Sequence, residues 1–262
     1  MYSTQQVKNN FSRGARTYDA HARMQHSVLQ QALSRLLPYF TPGMNFLDAG
    51  CGTGYLTHLM DRLESPVSLY GCDMAIGMCR KAVTREANHP YQVACADVQA
   101  LPYRGNSMDV VLSSLTLQWV NQCEHALIEL YRVLKPGGHC LVTTFGPMTL
   151  QELRESFETA DDKPHVSSFP SIEALQGWAK KAGFTIENAH SEFRCEQYES
   201  VIDLMRSIRV IGASNKMETR RRAMTGKGRF QKMEKHYRDN HETERGVPAS
   251  WEVLYLLLRK DN

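Results

Sequence analysis

Short apolar runs alternate with longer stretches of helical periodicity over the first two thirds of the chain. Residues 44–49, 67–73, 91–96, 108–114 and 139–145 have the pattern of strands. Between them, 55–63, 75–88 and 123–134 read as helices. This βαβα rhythm predicts a parallel sheet with helices on both faces. Pro136-Gly137-Gly138 is expected to break the chain before the fifth strand. Residues 171–182 predict another helix, with Ser171 as its cap, Glu173 in the first turn and Gly183 as its stop. The last third departs from the rhythm. Residues 184–198 read as one long strand, 199–241 as mainly helical and Arg-rich, and 251–259 as a final strand. A helical insertion between the last two strands is therefore expected, and insertions at a sheet edge commonly carry substrate recognition.

A length of 262 residues fits one domain with an elaboration. We divide it into a single domain over 1–262, an N-terminal helical lid over 1–35 and a basic helical insertion over 199–248. At 42% hydrophobic and 23% charged residues the composition is that of an ordinary globular protein. No apolar run approaches the roughly 20 residues that span a bilayer. Residues 1–10 are polar and lack a signal core, so a cytoplasmic protein without membrane partners is expected. The seven cysteines show no CxxC pairing, which argues for reduced thiols and against a structural metal. The net charge of +3 is uneven: residues 206–245 hold 12 Lys/Arg against 5 Asp/Glu, a local balance of +7 that leaves −4 elsewhere. A basic segment on a near-neutral body predicts an acidic partner, a solvated helix face being the plainer alternative.

The chemistry concentrates at Asp48-Ala49-Gly50-Cys51-Gly52-Thr53-Gly54, between a strand and a helix. Gly50, Gly52 and Gly54 permit a tight turn and close approach of a ligand to the backbone. Dinucleotide-binding proteins use a similar device. Two details favour S-adenosylmethionine. Asp48 precedes the glycines and can accept from the ammonium of a methionine portion, whereas it would repel a pyrophosphate. No third glycine follows at the GxGxxG spacing, since position 55 is Tyr55. Asp73 ends the second strand, where a carboxylate can take both ribose hydroxyls. Met74 and Ile76 can pack on an adenine. Asp97 can accept from the adenine amino group while Val98 offers a backbone amide; a turn cap is the alternative for Asp97.

These residues, with Leu101-Pro102-Tyr103, Ser107-Met108-Asp109-Val110-Val111 and Leu134-Lys135-Pro136-Gly137-Gly138, resemble the class I methyltransferases over about residues 40–146. The resemblance implies a Rossmann-like seven-stranded sheet, mostly parallel, with an antiparallel last strand. It implies S-adenosylmethionine as methyl donor, S-adenosylhomocysteine as product, and Ala49 and Ser114 within the cofactor set. The flanks are similar to a narrower group, the malonyl-acyl-carrier-protein O-methyltransferases of biotin synthesis. Val7, Asn10-Phe11, Ala15, Tyr18-Asp19 and Gln25 carry that likeness at the N-terminus. Asp203-Leu204-Met205-Arg206-Ser207-Ile208-Arg209 with Gly212-Ala213, and Gly246-Val247-Pro248 with Trp251-Glu252-Val253-Leu254-Tyr255, carry it later. The implied reaction turns the free carboxyl of a malonyl thioester into a methyl ester for pimeloyl and biotin synthesis.

That reaction would need an acceptor site. A carboxylate is ionised at neutral pH, with a pKa of about 4, so methyl transfer needs no general base. Arg206 and Arg209 are three apart on a predicted helix and can share one face; we expect both to anchor the acceptor, two surface arginines being the alternative. Tyr18 is expected to lend a hydroxyl near the carboxylate, with Phe11 on the same lid face. Phe145 and Gln118 are expected to wall the acceptor pocket. Arg220, Arg221, Arg222, Lys227 and Arg229 would face an acidic acyl-carrier protein. A nucleic acid fits less well, because no aromatic residues interleave the basic ones. A methyltransferase for a free small molecule, a nicotinamide oxidoreductase and a non-catalytic binding protein are the competing readings.

Overall fold

Seven strands form one sheet in the computed structural model, which describes residues 3–61, 67–85, 91–162, 164–210 and 227–262. They are β1 (Asn45–Ala49), β2 (Ser68–Asp73), β3 (Tyr91–Cys95), β4 (Met108–Ser114), β5 (Leu134–Phe145), β6 (Thr185–Tyr198) and β7 (Val247–Arg259). Their order is β3-β2-β1-β4-β5-β7-β6. β7 runs antiparallel to both its neighbours, and the β1 to β5 pairings are parallel. The helices are α1 (Thr4–Gly14), α2 (Tyr18–His21), α3 (Arg23–Leu36), α4 (Tyr55–Met60), α5 (Ile76–Val83), α6 (Cys123–Val133), α7 (Gln151–Glu158), α8 (Ile172–Ala182), α9 (Val201–Val210) and α10 (Lys227–His241). The parallel sheet expected from the βαβα rhythm is therefore formed, as is the Rossmann-like seven-stranded sheet with an antiparallel last strand that the resemblance implies.

β7 shows how one apolar run serves two cores. Side chains alternate across a strand. Leu254, Leu256 and Leu258 enter the core that α6 and α8 cover, while Trp251, Val253 and Tyr255 enter a second core with α7, α9 and α10. Both faces are buried, so the segment reads as continuously apolar.

Three boundaries and one helix differ from the sequence reading. The Pro136-Gly137-Gly138 segment does not end the pairing. Met108 pairs with Leu134 and Val110 with His139, so residues 135–138 bulge out of a strand that starts earlier. Gly137, at φ +76°, donates to the Lys260 carbonyl at 2.7 Å, and Lys135 grips Asp109 at 2.7 Å. β7 begins at Val247, four residues ahead of expectation, because Tyr198 of β6 pairs there despite the intervening Pro248. The helix predicted over 75–88 is α5, ending at Val83. Helix α7 escaped the sequence reading, because its buried face includes Glu152 and Ser156 alongside Leu153 and Phe157. Glu152 is satisfied by the backbone N–H of Ser250 at 3.2 Å and by the Ser250 hydroxyl.

The N-terminal helices are fastened to the sheet domain. α1 crosses α5 at Gly77, whose N–H donates to Ser12 Oγ at 3.2 Å. A Cβ at Gly77 would run into the Ser12 backbone, so glycine sets the closeness of that crossing. Among the described residues, no helix is long and apolar enough to cross a membrane.

Candidate active site

The chain runs β1-β2-β3 outward on one side of β1 and returns to place β4 on the other. The crevice beyond the carboxyl ends of β1 and β4 is thus the topological switch point, where such sheets bind ligands. A cleft of about 900 Å³, open to solvent, lies there, lined by the glycine loop, the ends of β1, β2 and β4, and the N-terminal helices. Gly50 and Cys51 donate to the Cys72 carbonyl at 2.8 and 2.9 Å, which folds the loop over the end of β2. Gly50 has φ +91°, and a Cβ there would collide with the Thr116 side chain. Gly54, left-handed at φ +76°, starts α4. Gly50 and Gly52 line the cleft; Ala49 is buried in the core and Gly54 turns into the helix.

The cleft is acidic. Asp48 is 2% exposed, and burial together with the nearby charge of Asp73 pushes its carboxyl up to about 7. Burial also raises Asp73, to about 6, although the N–H groups of Ala75 and Gly52 donate to its two oxygens at 2.7 and 3.1 Å. Two carboxylates held in low dielectric, with no Lys or Arg among the described residues that line the cleft, favour a ligand that brings positive charge and hydroxyl donors. They disfavour a pyrophosphate. Met74, Val98 and Ser114 also line the cleft. Ser114 shares a 3.2 Å hydrogen bond with Thr143. Asp97 Oδ1 accepts from the backbone and side-chain nitrogens of Gln99 at 2.9 and 3.1 Å, the geometry of a turn cap.

The N-terminal helices close the cleft. Asp19 of α2 accepts from Thr53 Oγ1 and Arg85 Nη2, both at 2.5 Å. Burial opposes its ionisation, but hydrogen bonds from His26 and Thr53 and the charge of Arg85 outweigh it and hold the carboxyl at about 2. Phe11 and Tyr18 both line the cleft, and Phe11 also packs edge-on against Trp119 with centroids 5.1 Å apart. Burial, with the charges of Asp73 and Asp19, pushes the Tyr18 phenol well above its usual range, so it remains a donor at neutral pH.

A second cavity of about 560 Å³ adjoins the first. Phe11, Tyr18, Gln25, Leu115 and Trp119 line both. Gln118 and Phe145 line the second, where Gln118 accepts from Thr144 Oγ1 at 3.3 Å and Phe145 packs against Phe169 and Trp251. Leu115, at φ +48°, is a strained non-glycine residue at the boundary between the cavities. That strain, and the roles of Gln25, Leu115 and Thr116 in the linings, carry no signal in residue type or spacing.

Arg206 and Arg209, expected to anchor the acceptor, both stand on α9. They do share a face, as their spacing requires, but it is the outer one. The buried stripe is Val201, Leu204 and Ile208, and Ile208 is the α9 residue that reaches the second cavity. At roughly 100° per residue, Arg206 stands nearly opposite that stripe. Its side chain is 73% exposed and paired with Asp203 at 3.1 Å; Arg209 is exposed as well. Of the expected carrier-facing residues, Arg229 is exposed and sits 3.5 Å from Asp161. Arg220, Arg221, Arg222 and the Lys227 side chain lie outside the described residues.

Comparison with known proteins fits this geometry. A methyltransferase-domain family model matches residues 47–142. The malonyl-[acyl-carrier protein] O-methyltransferase of Xylella fastidiosa is 34% identical over 260 residues, covering 97% of this chain and 87% of that protein. The biotin biosynthesis bifunctional protein BioHC of Teredinibacter turnerae is 35% identical over 264 residues, and the match covers 97% of this chain but only 46% of that protein. A solved phosphoethanolamine N-methyltransferase 2 of Haemonchus contortus, in complex with phosphomonomethylethanolamine and S-adenosylhomocysteine, shares the fold. Its TM-score is 0.52 at 20% identity, covering 88% of this chain and 53% of that one. The chain belongs to the malonyl-[acyl-carrier protein] O-methyltransferase family, within the class I methyltransferases.

Proposed function

We propose that this chain transfers a methyl group from S-adenosylmethionine to the free carboxylate of a malonyl thioester on an acyl-carrier protein, giving the malonyl methyl ester. The observation that carries the reading is the shared wall. An acidic cleft suited to a cationic nucleoside ligand opens onto a mainly apolar cavity through Phe11, Tyr18, Gln25, Leu115 and Trp119.

Asp48 would hold the ammonium of the methyl donor and Asp73 its ribose hydroxyls, with Met74 and Val98 at the adenine. When bound, S-adenosylmethionine supplies an electrophilic methyl on a sulfonium, which a carboxylate oxygen takes as the carbon–sulfur bond breaks onto sulfur, with no proton transferred. The protein's part is placement and exclusion of water. α1 to α3 roof the junction, and the apolar lining of the second cavity keeps the attacking oxygen poorly hydrated. Tyr18, held protonated, donates toward an acceptor oxygen without neutralising it as a cation would.

The carrier would approach the basic insertion. Arg206 and Arg209 fit that role better than an anchor inside the cavity, since both face outward. Acidic carriers approach such surfaces faster at low salt.

The decisive assay compares methyl transfer to malonyl-carrier protein, malonyl-coenzyme A and free diacids. Transfer confined to the thioesters, with the carrier form preferred, supports the proposal. Equal use of free acids would replace it with a small-molecule carboxyl methyltransferase.

A further inference from the structure

Gln25 lies in the first turn of α3 and lines both cavities. The ordinary local task of a glutamine there is to accept from the N-cap backbone N–H. Gln25 does not do so. Its Oε1 is buried without a partner, and among the described residues its amide makes no hydrogen bond. A buried carbonyl oxygen left unpaired is unfavourable and marks a place where a ligand completes the hydrogen bonding.

The surroundings specify the ligand's charge pattern. Among the described residues, the second cavity presents Tyr18, Gln25, Gln118, Ser167 and the indoles of Trp119 and Trp251 as polar side chains, with no Lys, Arg or His in its lining. Gln118 accepts from Thr144 through its Oε1. On the other side of the junction stand Asp48 and Asp73, which favour a cation in the first cavity. A primary amide suits that boundary, because its N–H groups face an anion while its carbonyl oxygen faces a positive centre. Rotation about the last torsion exchanges the two ends.

We propose that Gln25 orients the acceptor, donating an N–H to its carboxylate in the second cavity and turning its carbonyl oxygen toward the positive charge of the methyl donor in the first. This rests on the methyl-transfer reading above. It explains how a carboxylate is held where none of the described arginines reaches. The grip is neutral, so the nucleophile keeps its charge. It also predicts selection for acids over amides or esters at the same position, because those offer no anionic oxygen.

The test is steady-state kinetics with malonyl-carrier protein on wild type, Gln25→Ala, Gln25→Asn and Gln25→Glu, alongside calorimetry with S-adenosylhomocysteine and thermal melting. Wild type is assayed first: absence of turnover overturns the functional reading and this proposal with it. Given turnover, loss of a charge-assisted hydrogen bond predicts a kcat/KM lower by roughly 10- to 100-fold in Gln25→Ala. Gln25→Glu should lose more, because like charges would meet, and Gln25→Asn should lie between Gln25→Ala and wild type. S-adenosylhomocysteine affinity and melting temperature should stay near wild type in Gln25→Ala. A kcat/KM in Gln25→Ala within about threefold of wild type overturns the proposal while leaving methyl transfer intact. So does a loss matched by an equal loss of S-adenosylhomocysteine affinity, which would mean a role in the first cavity alone.

Discussion

Asp19 and Arg85 meet at 2.5 Å, joining the N-terminal helices to the segment after α5. Thr53 of the glycine loop lies between them: its hydroxyl donates to Asp19, and its carbonyl accepts from Arg85 Nε at 3.0 Å. The lid is thus latched to the loop that shapes the cleft. Asp19→Ala leaves Arg85 and Thr53 without their acceptor. We expect S-adenosylhomocysteine to bind about tenfold more weakly, the scale of one charge-assisted hydrogen bond. Calorimetry gives the number, and an unchanged Kd would show that the latch does not hold the ligand. Because the folded carboxyl is held near 2, the latch is fully present above the unfolded pKa of about 4 and is lost only as pH falls toward 2.

Asp48 behaves in the opposite sense. Its folded pKa of about 7 exceeds the unfolded value of about 4. Between these values the native state binds the extra proton, so stability falls as pH rises through the window from 4 to 7. The ligand-free protein should melt at a lower temperature at pH 8 than at pH 6. Asp48→Asn should reduce that difference and raise the pH 8 melting temperature. S-adenosylmethionine, bringing the missing positive charge, should bind more tightly at pH 8 than at pH 6 to wild type and weakly to Asp48→Asn. Affinity that does not change over this range would remove Asp48 as the partner of the ligand's cation.

The glycines of the loop are not equivalent. Gly50→Ala meets the Thr116 side chain at a backbone φ of +91°, so either the loop or the end of β4 must move. Gly52 has φ +52° and nothing within 4 Å of an added Cβ. Gly52→Ala should cost only the left-handed backbone penalty of about 1–2 kcal/mol. Gly50→Ala should cost more and abolish S-adenosylhomocysteine binding. Melting curves with and without ligand separate the two, and equal losses would deny the steric difference.

The outward face of α9 makes a further pair. Arg206→Ala removes a 73% exposed side chain, so stability should change by less than about 0.5 kcal/mol and S-adenosylhomocysteine affinity should not change. Its effect should appear in the KM for the carrier-bound acceptor and fade at high salt. Ile208→Ala empties part of the buried stripe and the second cavity wall, and should cost about 2–4 kcal/mol. If Arg206→Ala instead abolished turnover at saturating carrier, the arginine would belong to the reaction centre after all.

Periodicity and turn residues alone determined the sheet, the glycine loop and the acids Asp48 and Asp73, because strand alternation and tight turns are local properties written in consecutive residues. Family resemblance added the antiparallel last strand. Local pattern failed where pairing partners lie far apart. β7 starts at Val247 because β6 offers a partner there, and the Pro136-Gly137-Gly138 bulge is carried by pairing with β4 and β7. It failed also where one spacing permits two faces. Arg206 and Arg209 had to lie together, but only packing of Val201, Leu204 and Ile208 against β7 and α10 decided that they point outward. The junction of the two cavities is the clearest case. Phe11, Tyr18, Gln25, Leu115 and Trp119 come from α1, α2, α3 and the segment after β4. Their meeting depends on how α1 to α3 dock over β1 and β4, a long-range packing result that no local pattern encodes.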